Sequence, residues 1–309
     1  MEFALGGVAA MGACLFTNPL EVLKTRLQLQ GELQAKGAHV VHYKNVLHAG
    51  YVVAKNDGFL ALQKGLVPAL WVQLIMNGSR LGVYGYADTS GFLRDNEGNL
   101  LFTKSILITG LGSVIGQYSA SPLFLVKTHL QAQAVQAIAV GYQHQHTGTF
   151  QALTNIFNAN GIKGLFRGAV ATIPRAFIGG SSQIMCFEYT KQWIDRYNIT
   201  DNSLLRSFMS SMVGGIVVSV VMTPFDLIMT RLYNQPTDAS GKGLLYNNYF
   251  DCTRKIYQSE GITAFFKGIG PMYLRLGPHT VLCLVFFDVL RGFAYSYFPP
   301  KTSTKVQAV

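Results

Sequence analysis

Acidic and basic side chains recur at a fixed distance behind three prolines of this chain. The octets that start at Pro19, Pro122 and Pro224 read PLEVLKTR, PLFLVKTH and PFDLIMTR. In the first octet, Glu21 and Lys24 stand three residues apart, which places both side chains on one face of a helix. A ring of such helices can close itself with ion pairs. The pattern therefore predicts electrostatic closure and not bond-breaking chemistry.

The octets mark a unit of about one hundred residues that occurs three times. A second mark follows each octet: an acidic or Asn residue stands before Gly, and another Gly comes seven residues later. These marks are Asp57-Gly58 with Gly65, Asn160-Gly161 with Gly168, and Glu260-Gly261 with Gly268. We therefore divide the chain into repeats at 1–97, 98–198 and 199–298, followed by a short polar tail at 299–309.

The composition indicates a membrane protein. The chain has 309 residues, of which 49% are hydrophobic and 13% are charged, whereas soluble domains carry about 25% charged residues. A membrane span needs about 20 apolar residues. Six segments meet this length, and each also carries Gly, Ser or charged residues that require a packed or wet face: 3–30, 65–92, 101–133, 168–196, 204–233 and 269–296.

Each repeat contains a shorter amphipathic segment between its two spans. We expect these segments, at 45–56, 149–159 and 250–259, to lie as helices in the membrane interface. The octet prolines lie inside the first span of each repeat, and we expect them to kink those helices. The sequence thus predicts an all-α membrane protein with six transmembrane helices in three pseudosymmetric repeats around a central cavity, plus three short interfacial helices.

The remaining composition narrows the class further. The net charge of +10 suits an anionic lipid surface or an anionic substrate. Nucleic acid is disfavoured, because the Lys and Arg residues are scattered and no basic-aromatic module occurs. The four cysteines show no paired or metal-ligand spacing, and we interpret the histidines of the linkers, among them His144 and His146, as solvated. No metal site, disulfide framework, cofactor or enzymatic constellation is predicted.

On these features the chain resembles the mitochondrial carrier family (solute carrier family 25). The threefold Pro-x-acid-x-x-base octet carries the resemblance, which covers essentially the whole chain. The stretch at 77–82 and the sequence Gly-Pro-His-Thr at 277–280 look most like the group of members 34 and 35, relatives of the mitochondrial oxaloacetate carrier. The resemblance implies a multi-pass secondary transporter of the mitochondrial inner membrane, which we expect to be a monomer.

The resemblance also implies a gate on the matrix side, where the acid of one octet pairs with the base of the next. Two such pairs are complete here, Glu21 with Lys127 and Asp226 with Lys24. The third would join residues 124 and 229, where the chain has Phe and Met. Both charges of this pair are missing together, so we expect an apolar contact between Phe124 and Met229 that leaves no unpaired charge. By the same resemblance, Gln28 and Gln131 are braces that bond across the ion-pair layer.

A second gate is implied on the cytoplasmic side, at the ends of the even spans. Span four ends with Glu188 and Lys191 three residues apart, and span six ends with Asp288 and Arg291 in the same order. Span two has Gly85 and Asp88 at these positions. Only Glu188 with Arg291 can form a complete pair, so we expect a weak cytoplasmic gate and a stronger matrix gate.

The position thirteen residues before the acid of each even span is a substrate contact point in the family. These positions hold Val72, Arg175 and Arg275. Arginine inside a membrane is costly and should face a water-filled cavity, where its planar fork matches a carboxylate or sulfate. Structural arginines that pair with a carbonyl or carboxylate are the alternative. Further candidates for the substrate site are Gln73, Asn77, Arg80, Gln183 and His279. For Asn77, Gln183 and His279, a role in helix packing is an equally good explanation.

The leading interpretation is a carrier that exchanges or co-transports small anionic carboxylates, such as oxaloacetate, or related anions including sulfate. Two alternatives remain open: a substrate that bears nucleotide or phosphate groups, and an uncoupling or scaffold protein without solute transport. Anionic lipid is an expected partner. Arg167-Gly168 and Lys267-Gly268 resemble the family's cardiolipin motif at helix N-termini, where backbone amides favour phosphate.

Overall fold

The computed structural model describes residues 2–34, 40–93, 101–200, 202–238 and 241–297. The predicted tail at 299–309 lies outside these residues. Helices dominate the described part, and the only β-type pairing there is a bridge between Thr237 and Gly243. The α-helices are α1 (Glu2–Leu29), α2 (Val46–Asn56), α3 (Leu66–Thr89), α4 (Phe102–Ser119), α5 (Ser121–Ala132), α6 (Thr149–Leu165), α7 (Thr172–Arg196), α8 (Ser203–Asn234), α9 (Tyr249–Glu260) and α10 (Ile269–Tyr297).

The predicted order of long, short and long helix occurs three times, which confirms the all-α fold. The two spans are α1 and α3 in the first repeat and α8 and α10 in the third. In the second repeat, α4 and α5 together form the first span and α7 forms the second. The three octet prolines differ in where they lie within their helices. Pro19 and Pro224 lie inside the continuous helices α1 and α8, whereas Pro122 is the second residue of α5, after a break at Ala120.

Within the described residues, four helical stretches are long and apolar enough to cross a membrane: Leu5–Leu29, Phe59–Thr89, Leu205–Asn234 and Ile262–Phe293. They belong to the first and third repeats. In the second repeat, the first span is divided into α4 and α5 at Ala120, and α7 carries charged and amide side chains along its length.

The short helices α2, α6 and α9 expose large apolar side chains. Two of them begin at an asparagine whose side chain caps the helix, since Asn45 accepts from the His48 amide and Asn248 accepts from the Asp251 amide, both at 2.9 Å. An exposed apolar face on a helix of this length suits burial in the headgroup region of a bilayer. The exposed residues are Leu47 and Tyr51 on α2, Phe150 and Phe157 on α6, and Phe250 and Tyr257 on α9.

The glycines of the second mark join the short helices to the even spans. All six adopt a positive φ, between 61° and 87°, a backbone conformation that side chains disfavour. At two of them the chain also runs close to an octet helix. A Cβ on Gly65 would lie 3.1 Å from the Lys127 carbonyl, and one on Gly268 would lie 3.3 Å from the Lys24 carbonyl. Glycine thus lets the start of an even span rest on the octet helix of another repeat.

Small residues also let α4 pack closely on α3. A Cβ on Gly116 would lie 3.0 Å from the Met76 Cα, and one on Gly112 would lie 3.2 Å from the Arg80 Cα. These glycines stand four residues apart, the spacing that allows helix backbones to approach in lipid. The similar spacings at Gly6 and Gly215 pack against leucine side chains instead. The α3–α4 contact is therefore sensitive to added volume.

We expect Gly116→Ala to lower the free energy of unfolding by about 1–3 kcal/mol, because the new methyl group would overlap the α3 backbone. The matched control is Gly82→Ala in α3, where a Cβ meets no atom within 4 Å. Alanine favours a helix over glycine by up to about 1 kcal/mol, so this control should be stabilised. Thermal unfolding in detergent can be followed with a thiol-reactive dye, since Cys14 and Cys252 are buried free thiols. Equal effects of both changes would contradict this packing.

Candidate functional site

Four charged side chains from α1, α5 and α8 form two buried ion pairs, which we call the octet network. Lys24 Nζ lies 2.7 Å from Asp226 Oδ2, and Lys127 Nζ lies 2.5 Å from Glu21 Oε2. None of the four side chains is more than 12% exposed. These are the two pairs that the family resemblance implies. They connect α1 to α8 and α5 to α1, and so join all three repeats.

Both arginines predicted to bind substrate contact the octet network. Arg175 Nε lies 2.7 Å from Asp226 Oδ1, and Arg275 Nη1 lies 2.7 Å from Glu21 Oε1. Each buried carboxylate is therefore shared between one lysine and one arginine. Pairing with a carboxylate is what the alternative interpretation of these arginines expects, and their binding of substrate stays a prediction. The same contacts leave the arginines 11% and 20% exposed.

The network carries an excess of positive charge. Four cations, two lysines and two arginines, surround two carboxylates, which leaves a formal net charge of +2. Arg275 also has a buried Nε without a hydrogen-bond partner among the described residues. A buried charge without a counter-charge is costly. The site is thus suited to an anion that supplies about two negative charges.

The third octet position is apolar, as the sequence predicts. Phe124 and Met229 are buried in one core cluster that also includes Val72. The Phe124 ring has an additional role that the sequence did not indicate. Lys127 Nζ lies 5.1 Å from the ring centroid and Arg175 Cζ lies 5.7 Å from it, distances at which a cation is attracted to an aromatic face. The ring therefore contacts two of the cations at the position where an octet acid would stand.

The two predicted braces differ in what they contact. Gln28 donates from Nε2 to Asp226 Oδ2 at 2.9 Å, so it supports an ion pair directly. Gln131 donates to Asn18 Oδ1 at 3.2 Å and accepts from Thr25 Oγ1 at 3.0 Å, so it connects α5 with α1 through neutral groups. Both glutamines bond between repeats. Their role as braces of a gate stays a prediction.

Gln117 belongs to the site although the sequence analysis did not single it out. This fully buried residue of α4 accepts from Arg175 Nη1 at 2.6 Å. Its amide nitrogen lies 3.5 Å from Met229 Sδ. A large polar residue inside the apolar run before Pro122 is the signal that could have identified it. Gln117 and Arg175 both belong to the second repeat, whereas the other partner of Arg175, Asp226, belongs to the third.

Three predicted substrate residues form a hydrogen-bonded row on α3. Arg80 Nη2 donates to Asn77 Oδ1 at 2.9 Å, and Asn77 Nδ2 donates to the Gln73 carbonyl at 2.9 Å. Residues 73, 77 and 80 are three or four apart and share one helix face. The row therefore fixes the Arg80 guanidinium toward one side of α3.

A cavity of about 320 Å³ adjoins this row. Arg80 and Gln183 line it, together with Tyr84, Phe187 and Thr280. His279, the last predicted substrate residue, lies with its Nδ1 3.1 Å from Thr17 Oγ1. Of the predicted substrate residues, Arg175 and Arg275 thus contact the octet network, whereas Arg80 and Gln183 line this cavity.

The predicted cytoplasmic gate is described only in part. Asp288 and Arg291 are exposed, and Lys191 is half-buried. The side chain of Glu188 lies outside the described residues. The pairing of Glu188 with Arg291 therefore stays a prediction.

Two further ion-pair networks lie at the ends of the odd spans, and we call them the helix-end networks. In the first, Arg26 Nη2 lies 2.7 Å from Asp57 Oδ2 and Lys64 Nζ lies 3.6 Å from it. In the second, Glu260 bonds to Arg231 and lies 2.6 Å from Lys267 Nζ. The sequence analysis did not predict these pairs. The signals that could have indicated them are the arginine at the end of the octet and the acid of the second mark.

The carboxyl groups of the helix-end networks have lowered pKa values. Burial acts to raise the pKa of Asp57, but hydrogen bonds from Arg26 and from the Val135 amide outweigh it. Burial likewise acts to raise the pKa of Glu260, and the bonds from Arg231 and Lys267 outweigh it. Both acids therefore stay ionised at neutral pH and hold their partner helices.

The residues predicted to bind lipid lie where the even spans begin. Gly168 and Gly268 have positive φ, 76° and 85°. Arg167 Nη2 donates to the Tyr233 carbonyl at 3.3 Å, and Lys267 pairs with Glu260. Both basic side chains thus have partners within the protein, and binding of lipid at these positions stays a prediction.

Comparison with known proteins places these features in a family. The family model described as "Mitochondrial carrier protein" matches residues 1–91, 98–198 and 200–298. Solute carrier family 25 member 35 of Mus musculus is 51% identical over 298 residues, which cover 96% of this chain and 99% of the relative. The human protein of that name is 50% identical over 297 residues, with the same coverage. The mitochondrial oxaloacetate transport protein of Saccharomyces cerevisiae is 39% identical over 300 residues, covering 96% and 90%.

We expect Asp226→Asn to destabilise the protein more than Lys24→Met. Asp226 is shared between Lys24 and Arg175, so its neutralisation leaves two buried cations without a counter-charge. Such a loss costs about 3–5 kcal/mol. Lys24→Met leaves Asp226 paired with Arg175 and should cost about 1–3 kcal/mol. Thermal unfolding of each variant measures the order, with the partly exposed Arg206 of the Arg206–Asp195 pair changed to Gln as the control. A larger loss for Lys24→Met would show that the shared carboxylate is not decisive.

The lowered pKa of Glu260 predicts a specific loss of stability in acid. A carboxyl group with a depressed folded-state pKa contributes stability that is present above its ordinary pKa of about 4.3 and disappears as the pH falls through the folded-state value. Glu260→Gln should remove this contribution, lower the stability at pH 7 by about 3–5 kcal/mol and flatten the pH dependence. Melting temperatures measured from pH 7 downward test this, with the exposed Asp195→Asn as the control. An unchanged acid profile in Glu260→Gln would refute the assignment.

Proposed function

Because this chain belongs to the mitochondrial carrier family and is a multi-pass transporter of the mitochondrial inner membrane, we propose that its substrates are small dianions. Di- and ketocarboxylates such as oxaloacetate are the first candidates. The name of the 39% identical yeast relative, an oxaloacetate transport protein, supports this class. Sulfate has the same charge and also fits the proposal.

The observation that carries the proposal is the net charge of the octet network. Four cations face two carboxylates in a buried layer. A dianion brought to Arg175 and Arg275 would complete the charge balance. Guanidinium groups bind carboxylates with two parallel hydrogen bonds, and the two arginines come from different repeats. A substrate with an anionic group at each end can therefore contact both.

The shared carboxylates supply a mechanism for coupling substrate to the gate. When a substrate carboxylate takes Arg175 from Asp226, that acid keeps Lys24 as its remaining cation. The same exchange at Arg275 leaves Glu21 with Lys127 alone. Each lysine–carboxylate pair then loses the arginine that also bonded to its acid. Substrate binding would thus weaken the octet network, which opens the cavity toward the matrix, and release of substrate would allow the network to form again.

Charge balance limits how such a carrier can work. A dianion that crosses alone moves two charges against or along the membrane potential, and each charge is worth about 2.3 kcal/mol per 100 mV. Exchange for another anion or co-transport of protons removes this cost. We propose one of these two modes.

The proposal also includes an anionic phospholipid, in particular cardiolipin, bound at Arg167-Gly168 and Lys267-Gly268. The carrier is proposed to be a monomer.

Uptake into proteoliposomes tests the role of the arginines. We expect the unchanged protein to exchange labelled oxaloacetate or a stable dicarboxylate. Arg175→Gln and Arg275→Gln should each reduce initial uptake about 10- to 150-fold, the equivalent of a charged hydrogen bond worth about 1.5–3 kcal/mol. Arg175→Lys should keep part of the activity, because it keeps the charge but loses the planar fork. The surface control Arg206→Gln should transport normally.

Full dicarboxylate uptake by Arg175→Gln would overturn the assigned role. A panel of solutes separates the remaining functions. Dicarboxylates and sulfate should inhibit labelled uptake and raise the melting temperature, whereas monocarboxylates should do neither. Inhibition by nucleotides alone would favour a nucleotide carrier. A proton leak without solute flux would favour an uncoupling protein.

A further inference from the structure

Three histidines meet at the octet side of the protein, outside the network described above. His129 is buried in α5, and His144 and His146 follow in the loop before α6. One ring nitrogen from each lies within 4.8 Å of the others. The interpretation of His144 and His146 as solvated loop residues is therefore wrong. Both are partly buried, and both rings stack parallel to that of His129, with centroid distances of 3.5 and 5.4 Å.

Backbone carbonyls of α8 fix the tautomers of two of these rings. His129 Nε2 lies 2.9 Å from the Tyr233 carbonyl, and His144 Nε2 lies 3.0 Å from the Asn234 carbonyl. A carbonyl can only accept, so each Nε2 carries the proton and each Nδ1 presents a lone pair. A ring nitrogen that donates to a carbonyl while the other presents its lone pair is the usual arrangement of a histidine that binds a metal.

The loop is held so that His144 and His146 face the same side. Gln133 donates from Nε2 to the carbonyls of both residues. His146 Nε2 lies 3.2 Å from His129 Nδ1, while its Nδ1 is buried without a hydrogen-bond partner among the described residues. The side chains of the alternate residues 144 and 146 therefore converge on His129.

Comparison of the repeats shows what this cluster replaces. His129 stands at the octet position held by Arg26 in the first repeat and Arg231 in the third, where each arginine pairs with an acid. In the second repeat, the position of those acids is held by Asn160, which is neutral. A helix-end ion pair is thus absent by residue type, and three neutral nitrogen donors occupy its place.

We propose that His129, His144 and His146 bind a divalent cation of the zinc class. Three imidazoles are a ligand set of zinc, and a tetrahedral site with Zn–N bonds of about 2.0–2.1 Å requires nitrogens about 3.3 Å apart. The 3.2 Å between His129 and His146 matches this distance. Because a ring nitrogen binds a metal in the plane of its ring, His144 must turn out of its parallel stack on His129 to complete the site. Binding replaces the His146–His129 hydrogen bond, and His146 becomes its other tautomer, with the proton on its currently unpartnered Nδ1.

One nearby charge opposes the cation and offers a sharp test. Arg167 donates to the same Tyr233 carbonyl that His129 contacts, at 3.3 Å. Its positive charge should lower the affinity for a divalent ion. Removal of that charge should therefore tighten binding, whereas removal of a histidine should abolish it. A ligand role and a purely structural role predict different signs for these changes.

The experiment uses the full chain, purified in detergent with a tag that contains no histidine. Zn²⁺ is added, free metal is removed by gel filtration, and bound metal is measured by mass spectrometry. We expect about one retained ion per chain and a melting temperature that rises with Zn²⁺ and returns after EDTA. His146→Ala and His144→Ala should lose both effects. His42→Ala, at a partly exposed loop histidine, should keep them, and Arg167→Gln should bind Zn²⁺ more tightly.

Several outcomes would overturn the site. No retained zinc in the unchanged protein would do so, and so would full retention in both His144→Ala and His146→Ala. If His42→Ala lost as much zinc as His144→Ala and His146→Ala, the retained ion would not be specific to this cluster. Replacement of all four cysteines by serine must leave the retained ion in place, because loss there would assign it to thiols. His146→Ala preserves the buried His129, so a folded variant is expected for comparison.

Discussion

The structure depends on two buried carboxylates, each shared between a lysine and an arginine. Asp226 contacts Lys24 and Arg175, and Glu21 contacts Lys127 and Arg275. In a buried layer a charge is tolerated only with a counter-charge nearby, so these contacts decide which helices can lie together. They also connect the part proposed to close the protein with the part proposed to bind substrate. The same arginine cannot bind both its acid and a substrate carboxylate at full strength, and this competition couples the two.

The third position of the ring shows how strongly this constraint acts. In the pattern of the other two positions, an octet acid meets a lysine of a neighbouring odd span and an arginine of an even span. At the third position the three corresponding residues are Phe124, Met229 and Val72, and all three are buried in one apolar cluster. Loss of the acid alone would have left cations without a partner. Acid, lysine and arginine are replaced together, and the Phe124 ring face contacts Lys127 and Arg175 that remain nearby.

The sequence predicts the long-range order of this fold because the order is repeated. The threefold repeat and the apolar runs placed the spans within a few residues, and the family resemblance implied the pairs Glu21–Lys127 and Asp226–Lys24. Contacts particular to one repeat could not be predicted in the same way. Gln117 on Arg175, and His129 beside His144 and His146, depend on side chains that occur once. No symmetry argument reaches them, and only the folded chain brings them together.

The three repeats therefore do not contribute equally to closure. The second repeat lacks an octet acid at Phe124 and a helix-end ion pair at His129, and its first span is interrupted at Ala120. Both ion pairs of the octet network include α1, through Glu21 to α5 and through Lys24 to α8. The contact between α5 and α8 at this level is apolar, and an apolar contact can slide without the loss of a paired charge. Movement of α1 alone would thus break both pairs, while α5 and α8 could stay packed. We therefore propose that opening at the octet side depends on movement of α1.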